Sequence, residues 1–183
     1  MASFTQRMIG AAKLNVHTYE EVEADRGATG QAMAVVVLSS LAAGIGYFGR
    51  AGVTGLIFGA VVALLGWFLW AFLTYLIGTK FLPEPQTRSD MGELLRTIGF
   101  ASSPGLLRVF GAIPVLGGLI SLGAGIWMLI AMVIAVRQAL DYRGTGRAVL
   151  VCVIGFIPYV LSLSFLVGTL MALLGIKAPT PTG

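Results

Sequence analysis

The chain has 183 residues, room for one domain or two small ones. Hydrophobic residues make up 57% of it and charged residues 11%, with a mean hydropathy of +0.90, whereas a soluble domain carries about 25% charged residues. Twelve Lys and Arg with eight Asp and Glu cannot clothe a water-facing surface, so a soluble globular enzyme is excluded, and the low polarity excludes disorder as well.

The single cysteine, Cys152, lies in an apolar run and rules out a disulfide scaffold. The net charge of +4 is not a nucleic-acid signature, because the basic residues sit between apolar segments.

Residues 1–30 read as a cytoplasmic segment of two short helices. Phe4, Met8, Ala11 and Ala12 recur at helical spacing beside Arg7 and Lys13, an interfacial pattern. Thr18-Tyr19-Glu20-Glu21 fits a capping box, and the acidic run Glu20, Glu21, Glu23 and Asp25 then occupies the first turns. Glu20, Glu21 and Asp25 are read either as a solvated helix end or as a docking surface for a basic cytoplasmic partner. No secretory leader is expected, so the first apolar run stays as a span.

The apolar regions follow in order. Residues 31–49 and 53–78 each suffice to cross a hydrocarbon core of ~30 Å, and the second ends in Trp67, Trp70 and Tyr75, residues suited to an aromatic belt. Asp90 to Ile98 starts a cytoplasmic amphipathic helix. Met91, Leu94, Leu95 and Ile98 form one stripe, expected to lie along the headgroups or to pack beneath the bundle. Pro83 and Pro85 stiffen the loop that leads into it.

Ala101 to Val136 is apolar except for Arg108. A single helix of that length would measure about 54 Å, far beyond the bilayer. Ser103 as a cap, Pro104 in the first turn and a break at Pro114, Gly117 and Gly118 predict a hairpin instead. Its first arm, 103–116, is short and either spans or is re-entrant; its second, 118–138, is a full span. The last span, 148–174, should kink at Pro158, and 177–183 is a tail.

Charge tests this threading. With the hairpin, nine of the twelve basic residues share one side, with Arg50 and Lys177 opposite. The positive-inside bias then puts the N-terminus in the cytoplasm and the C-terminus outside. The expected fold is an all-α polytopic membrane bundle: five transmembrane helices across residues 31–176, the third short, with short cytoplasmic amphipathic helices.

Reactive groups are scarce. With His17 the only histidine and Cys152 the only cysteine, no zinc set of two or more His or Cys ligands exists in one chain. No span contains a carboxylate for proton relay. No catalytic, cofactor or metal site is expected, and the chain is read as a non-enzyme.

Arg108 is the one intramembrane charge, costing at least about 2.5–3.5 kcal/mol at the bilayer centre. It reads as an anchor snorkelling to the cytoplasmic headgroups, or else as a substrate-binding group. Small residues Gly55 and Gly59, then Gly117, Ser121 and Gly125, then Gly168 between Ser164 and Ala172, offer close helix approach within the chain or in a homo-oligomer.

The order of these features resembles the bacterial branch of the Ypt-interacting protein (Yip) family of five-span membrane proteins. The resemblance rests on Thr18-Tyr19-Glu20-Glu21 before Gln31-Ala32, and on Gly92-Glu93-Leu94-Leu95-Arg96-Thr97-Ile98-Gly99-Phe100-Ala101. It continues through Ser103-Pro104-Gly105-Leu106-Leu107, Ile113-Pro114, Ile126-Trp127, Ala135-Val136-Arg137-Gln138-Ala139-Leu140 and Arg147-Ala148.

Eukaryotic members bind prenylated Rab-type GTPases in vesicle traffic. Their Asp-Leu-Tyr-Gly-Pro and Gly-x-Pro-Leu-x-Phe motifs are missing here, so the resemblance implies fold and membrane location and no binding residue. The expected function is a membrane-organising or partner-recruiting module of a prokaryotic inner membrane, with the lipid bilayer, a cytoplasmic protein and a second copy as partners. A small permease or channel for a neutral or anionic solute is the alternative.

Overall fold

Residues 2–48 and 52–175 are described by a computed structural model, and among them every regular element is helical. Two short helices come first, α1 (Phe4–Ala12) and α2 (Val16–Ala24). The first two long helices are α3 (Thr29–Phe48) and α4 (Gly52–Leu76), the latter prolonged by a π-helical turn, Ile77–Phe81. Helix α5 (Met91–Ala101) leads into a 3-10 segment, Ser103–Ala112, and the chain closes with α6 (Gly117–Ala139) and α7 (Thr145–Leu173).

Four stretches, Arg26–Gly46, Gly52–Phe81, Gly117–Ala139 and Thr145–Leu173, are long and apolar enough to cross a membrane. They turn large apolar side chains outward: Ile57 on α4, Leu119 on α6 and Phe165 on α7 are 61%, 67% and 78% exposed. Apolar faces of that extent suit lipid rather than water. Helix α7 continues through Pro158 as one helix.

The third apolar region is a hairpin. Its first arm is 3-10 rather than α, and ten residues at that rise reach about 20 Å. Glycine sets the register of this arm against α3. A Cβ on Gly99 would lie 2.7 Å from that of Ala32. A Cβ on Gly105 would overlap the Ser39 hydroxyl, and one on Gly46 would overlap the Arg108 carbonyl oxygen.

Ala32, Ser39 and Gly46 follow one another at two-turn intervals on α3. The end of α5 and the 3-10 segment therefore run together up one face of that helix. Helix α6 descends on the other side, its Met128 beside Gly105 and its Gly117 against Gly111. At the turn between the arms Val115 takes a left-handed backbone (φ 67) and is almost wholly exposed.

Two local expectations are corrected. The N-cap of α2 is Asn15, whose side chain accepts from the His17 amide, so the capping box at Thr18–Glu21 does not form. Leu14 in the left-handed region (φ 61) reverses the chain immediately after α1, and α2 starts earlier as a result. Thr18 instead lies buried where Gly10 of α1 comes close.

Of the two placements open to α5, the structure has it packed against the bundle: Leu94 and every residue from Arg96 to Ala101 are buried. The tryptophans face inward. Trp67 donates to the Leu95 carbonyl (3.0 Å), and Trp70 donates to the Met132 sulfur (3.1 Å) and meets Tyr159 edge to face.

Candidate functional site

The loops 82–90 and 140–144 meet at one end of the bundle. The Arg143 amide donates to the Glu84 carboxylate (3.1 Å), Arg147 pairs with it (3.4 Å), and Arg147 also donates to the Pro83 carbonyl (2.7 Å). The Arg143 amide in particular holds the Glu84 carboxyl below the usual carboxylate range.

Tyr142 is buried at this junction, and burial pushes its phenol up to about 12. Its hydroxyl is shared between the carbonyls of Gly78 (3.0 Å) and Leu82 (2.8 Å). The π turn explains the Gly78 contact. In that register the Gly78 carbonyl looks to residue 83, a proline with no N–H to offer, and the tyrosine replaces the missing donor.

The N-terminal helices pack onto the same end. Arg7, 2% exposed, is clamped by Glu21 (2.9 Å) and Asp25 (2.8 Å) and donates to Gln31 (3.1 Å). Its burial opposes the charge, but the two carboxylates outweigh that and raise its pKa. Glu21 is held low by the Ala2 amide and then by Arg7, and Asp25 by Arg7.

Arg96 of α5 is buried too. Its Nε donates to the carbonyls of Val22 and Glu23 (3.0 Å each), and its Nη2 donates to the latter as well. These are last-turn carbonyls of α2, without partners inside the helix, at the end where a cation is favoured. Arg96 thus fastens α2 to the bundle.

Docking α2 in this way divides its acidic run between two faces. Glu21 and Asp25, four residues apart, turn to Arg7. Glu20 and Glu23, three apart, turn instead to a cleft of about 610 Å³, where Glu93 of α5 and Asp141 of the α6–α7 loop join them. Gln86, Gln138 and Tyr142 complete its walls, and no Lys or Arg is among the lining residues. Glu23 registers the crowding: burial, followed by the charges of Glu93 and Asp141, pushes its carboxyl up to about 8. The Gln86 Oε1 atom is buried without a partner.

Arg108 projects from the 3-10 segment with its Nη2 about one van der Waals contact from where a Gly125 Cβ would sit (3.5 Å). Gly125 is eight residues into α6 and twelve before Arg137, about 12 Å and 18 Å along the helix. The guanidinium therefore lies nearer the middle of α6 than the level of Arg137. Arg108 Nε and the Ser121 hydroxyl are both buried without a hydrogen-bond partner.

The remaining small residues separate by position. Ser121 is buried and Gly117 abuts Gly111, whereas Gly59 and Gly168 have nothing within 4 Å of an added Cβ. No group of three or more His, Cys, Asp and Glu among the described residues is placed to hold a metal ion.

The Yip1 domain model matches residues 15–175. The chain belongs to the Yip1 domain family. Neither the curated proteins nor the solved structures contain a match to it. Membership and the apolar helices together make the chain a multi-pass integral membrane protein. The Yip1 match begins at Asn15, the cap of α2, and so takes in α2, α5 and the cleft between them.

Of the acidic residues expected at a docking surface, the fold brings Glu20 to the cleft and turns Glu21 and Asp25 away from it. Glu23 of the same acidic run joins it there, whereas Glu93 and Asp141 come from elements that the sequence pattern does not connect with α2. Helical spacing alone separates the pair 20/23 from the pair 21/25, but which pair faces outward depends on Arg7, fourteen residues before Glu21.

Proposed function

We propose that this Yip1-domain chain is a non-enzymatic membrane module that recruits a basic protein segment at the acidic cleft. The observation that carries the proposal is the convergence of four carboxylates from three separate elements on one cavity with no basic residue in its walls. A Lys- or Arg-bearing segment supplies the missing charge, and the open amide oxygen of Gln86 offers it a further acceptor.

The threading we infer has five crossings, with the short 3-10 arm, continued from α5, as the third. Support comes from loops 82–90 and 140–144 lying at one end together with the N-terminal helices, since an even number of crossings must separate those loops. We infer that this end, with the N-terminus, faces the cytoplasm of a prokaryotic inner membrane and that the C-terminus lies outside; the basic side chains concentrated there support this reading.

The test uses the full chain in nanodiscs of zwitterionic lipid and a fluorescent oligo-arginine peptide, read by anisotropy. Binding is expected to weaken with salt and to tighten between pH 6.5 and pH 8.5, because a cation in the cleft displaces the proton held by Glu23. Peptide binding that is indifferent to salt and pH would remove the proposal.

A further inference from the structure

Arg108 has no counter-charge within reach. All eight acidic residues fall at positions 20–25, 84–93 and 141, and none pairs with Arg108, whose guanidinium lies beside Gly125 of the apolar helix α6. No ion pair or hydrogen bond engages Arg108 among the described residues, and its Nε is buried. The residue as a whole is partly exposed, and a charge on an apolar helical face is retained only when something balances it.

A second, independent feature marks the same place. Ser121, one helical turn before Gly125 on the same face of α6, is 97% buried and its hydroxyl has no partner. Serine in a helix ordinarily satisfies its hydroxyl on the carbonyl one turn back. Here the Oγ atom instead lies 2.9 Å from where a Gly111 Cβ would stand, directed at the 3-10 arm that carries Arg108. Glycine at 111 and 125 leaves no side chain of its own between the arm and α6.

We propose that Arg108 and Ser121 form an intramembrane site for a phosphate-type oxyanion. The Nε and Nη2 atoms along one edge of the guanidinium present two parallel donors, the geometry that grips two oxygens of one anion, and the serine hydroxyl donates to a third. The anion supplies the charge that the chain lacks at this depth. A phosphodiester headgroup drawn inward from the bilayer and free phosphate offer the same oxygens. This site is independent of the acidic cleft.

The chain is purified in neutral maltoside detergent and its thermal unfolding followed by tryptophan fluorescence. One arm adds inorganic phosphate, with chloride at matched ionic strength as control; the other adds phosphatidylglycerol, with diacylglycerol, which lacks the phosphate, as control. A rise in Tm with phosphate in the first arm identifies a soluble anion, and a rise only with phosphatidylglycerol identifies a headgroup. Arg108→Gln abolishes the rise, and Ser121→Ala shifts its midpoint about tenfold in ligand concentration, the worth of one hydrogen bond to a charged group.

Should Arg108→Gln fail to fold, Arg108→Lys keeps the charge without the fork and carries the same test, again with about a tenfold shift. Oligo-arginine binding is unchanged in these variants. No rise in the parent chain with either ligand, or an undiminished rise in every variant, overturns the proposal.

Discussion

Replacing Arg96 with methionine isolates the fastening of α2. Methionine keeps an unbranched apolar stem in the space between α2 and α5 but removes the donors that serve the Val22 and Glu23 carbonyls. A hydrogen bond to a charged group is worth about 1.5–3 kcal/mol. The end of α2 is only partly shielded, so water takes over part of the loss. The free energy of opening α2 should therefore fall by about 2–3 kcal/mol, which corresponds to amide exchange roughly 30- to 150-fold faster. Hydrogen exchange of residues 18–24 measures this, with the buried end of α6 (residues 131–139) as internal reference. A change of less than about threefold in α2, or equal acceleration of both segments, would refute the idea that Arg96 holds this layer.

Four further outcomes follow from the structure. Gly46→Ala places a Cβ into the Arg108 carbonyl and must push the 3-10 arm off α3, costing about 2–3 kcal/mol in a denaturation series. Gly59→Ala, with nothing within 4 Å, should be neutral or slightly stabilising.

Glu23 binds its proton more tightly folded than unfolded. Its contribution to stability is therefore complete below pH 4.5 and disappears as pH rises to about 8. Glu23→Gln should remove that dependence and raise stability at pH 8.5 by roughly 2 kcal/mol, less than full linkage because the cleft is open to solvent. Thermal unfolding at pH 5 and 8.5 shows the sign. Val115→Gly relieves a β-branched residue held at positive φ, and a gain of about 1 kcal/mol in the same assay is expected.

Long apolar runs made the membrane helices legible, because a helix facing lipid advertises itself by composition alone. The short third arm was legible through Pro104 and Pro114, but its 3-10 winding was not. That winding depends on Gly105 and Gly111 sliding against Ser39 and Ser121, contacts between residues some seventy and ten positions apart. Arg96 looked like the polar side of an amphipathic helix, since its partners are backbone carbonyls that no side-chain pattern reveals.

The same limit applied to the tryptophans. An aromatic near a membrane boundary suits a headgroup belt, and only the arrival of the Leu95 carbonyl and the Met132 sulfur turns Trp67 and Trp70 inward. At the cleft, the charges were visible in the chain but their meeting was not. Asp141 joins Glu23 through the docking of loop 140–144, across more than a hundred residues.

Recruitment at the cleft is tested most directly by titrating fluorescent oligo-arginine against the chain in zwitterionic nanodiscs. The titration is then repeated with a variant carrying Glu20→Gln, Glu23→Gln, Glu93→Gln and Asp141→Asn together. Saturable, salt-sensitive binding by the parent and none by the variant is the result expected; equal binding by both, with α2 still protected from exchange, would contradict it.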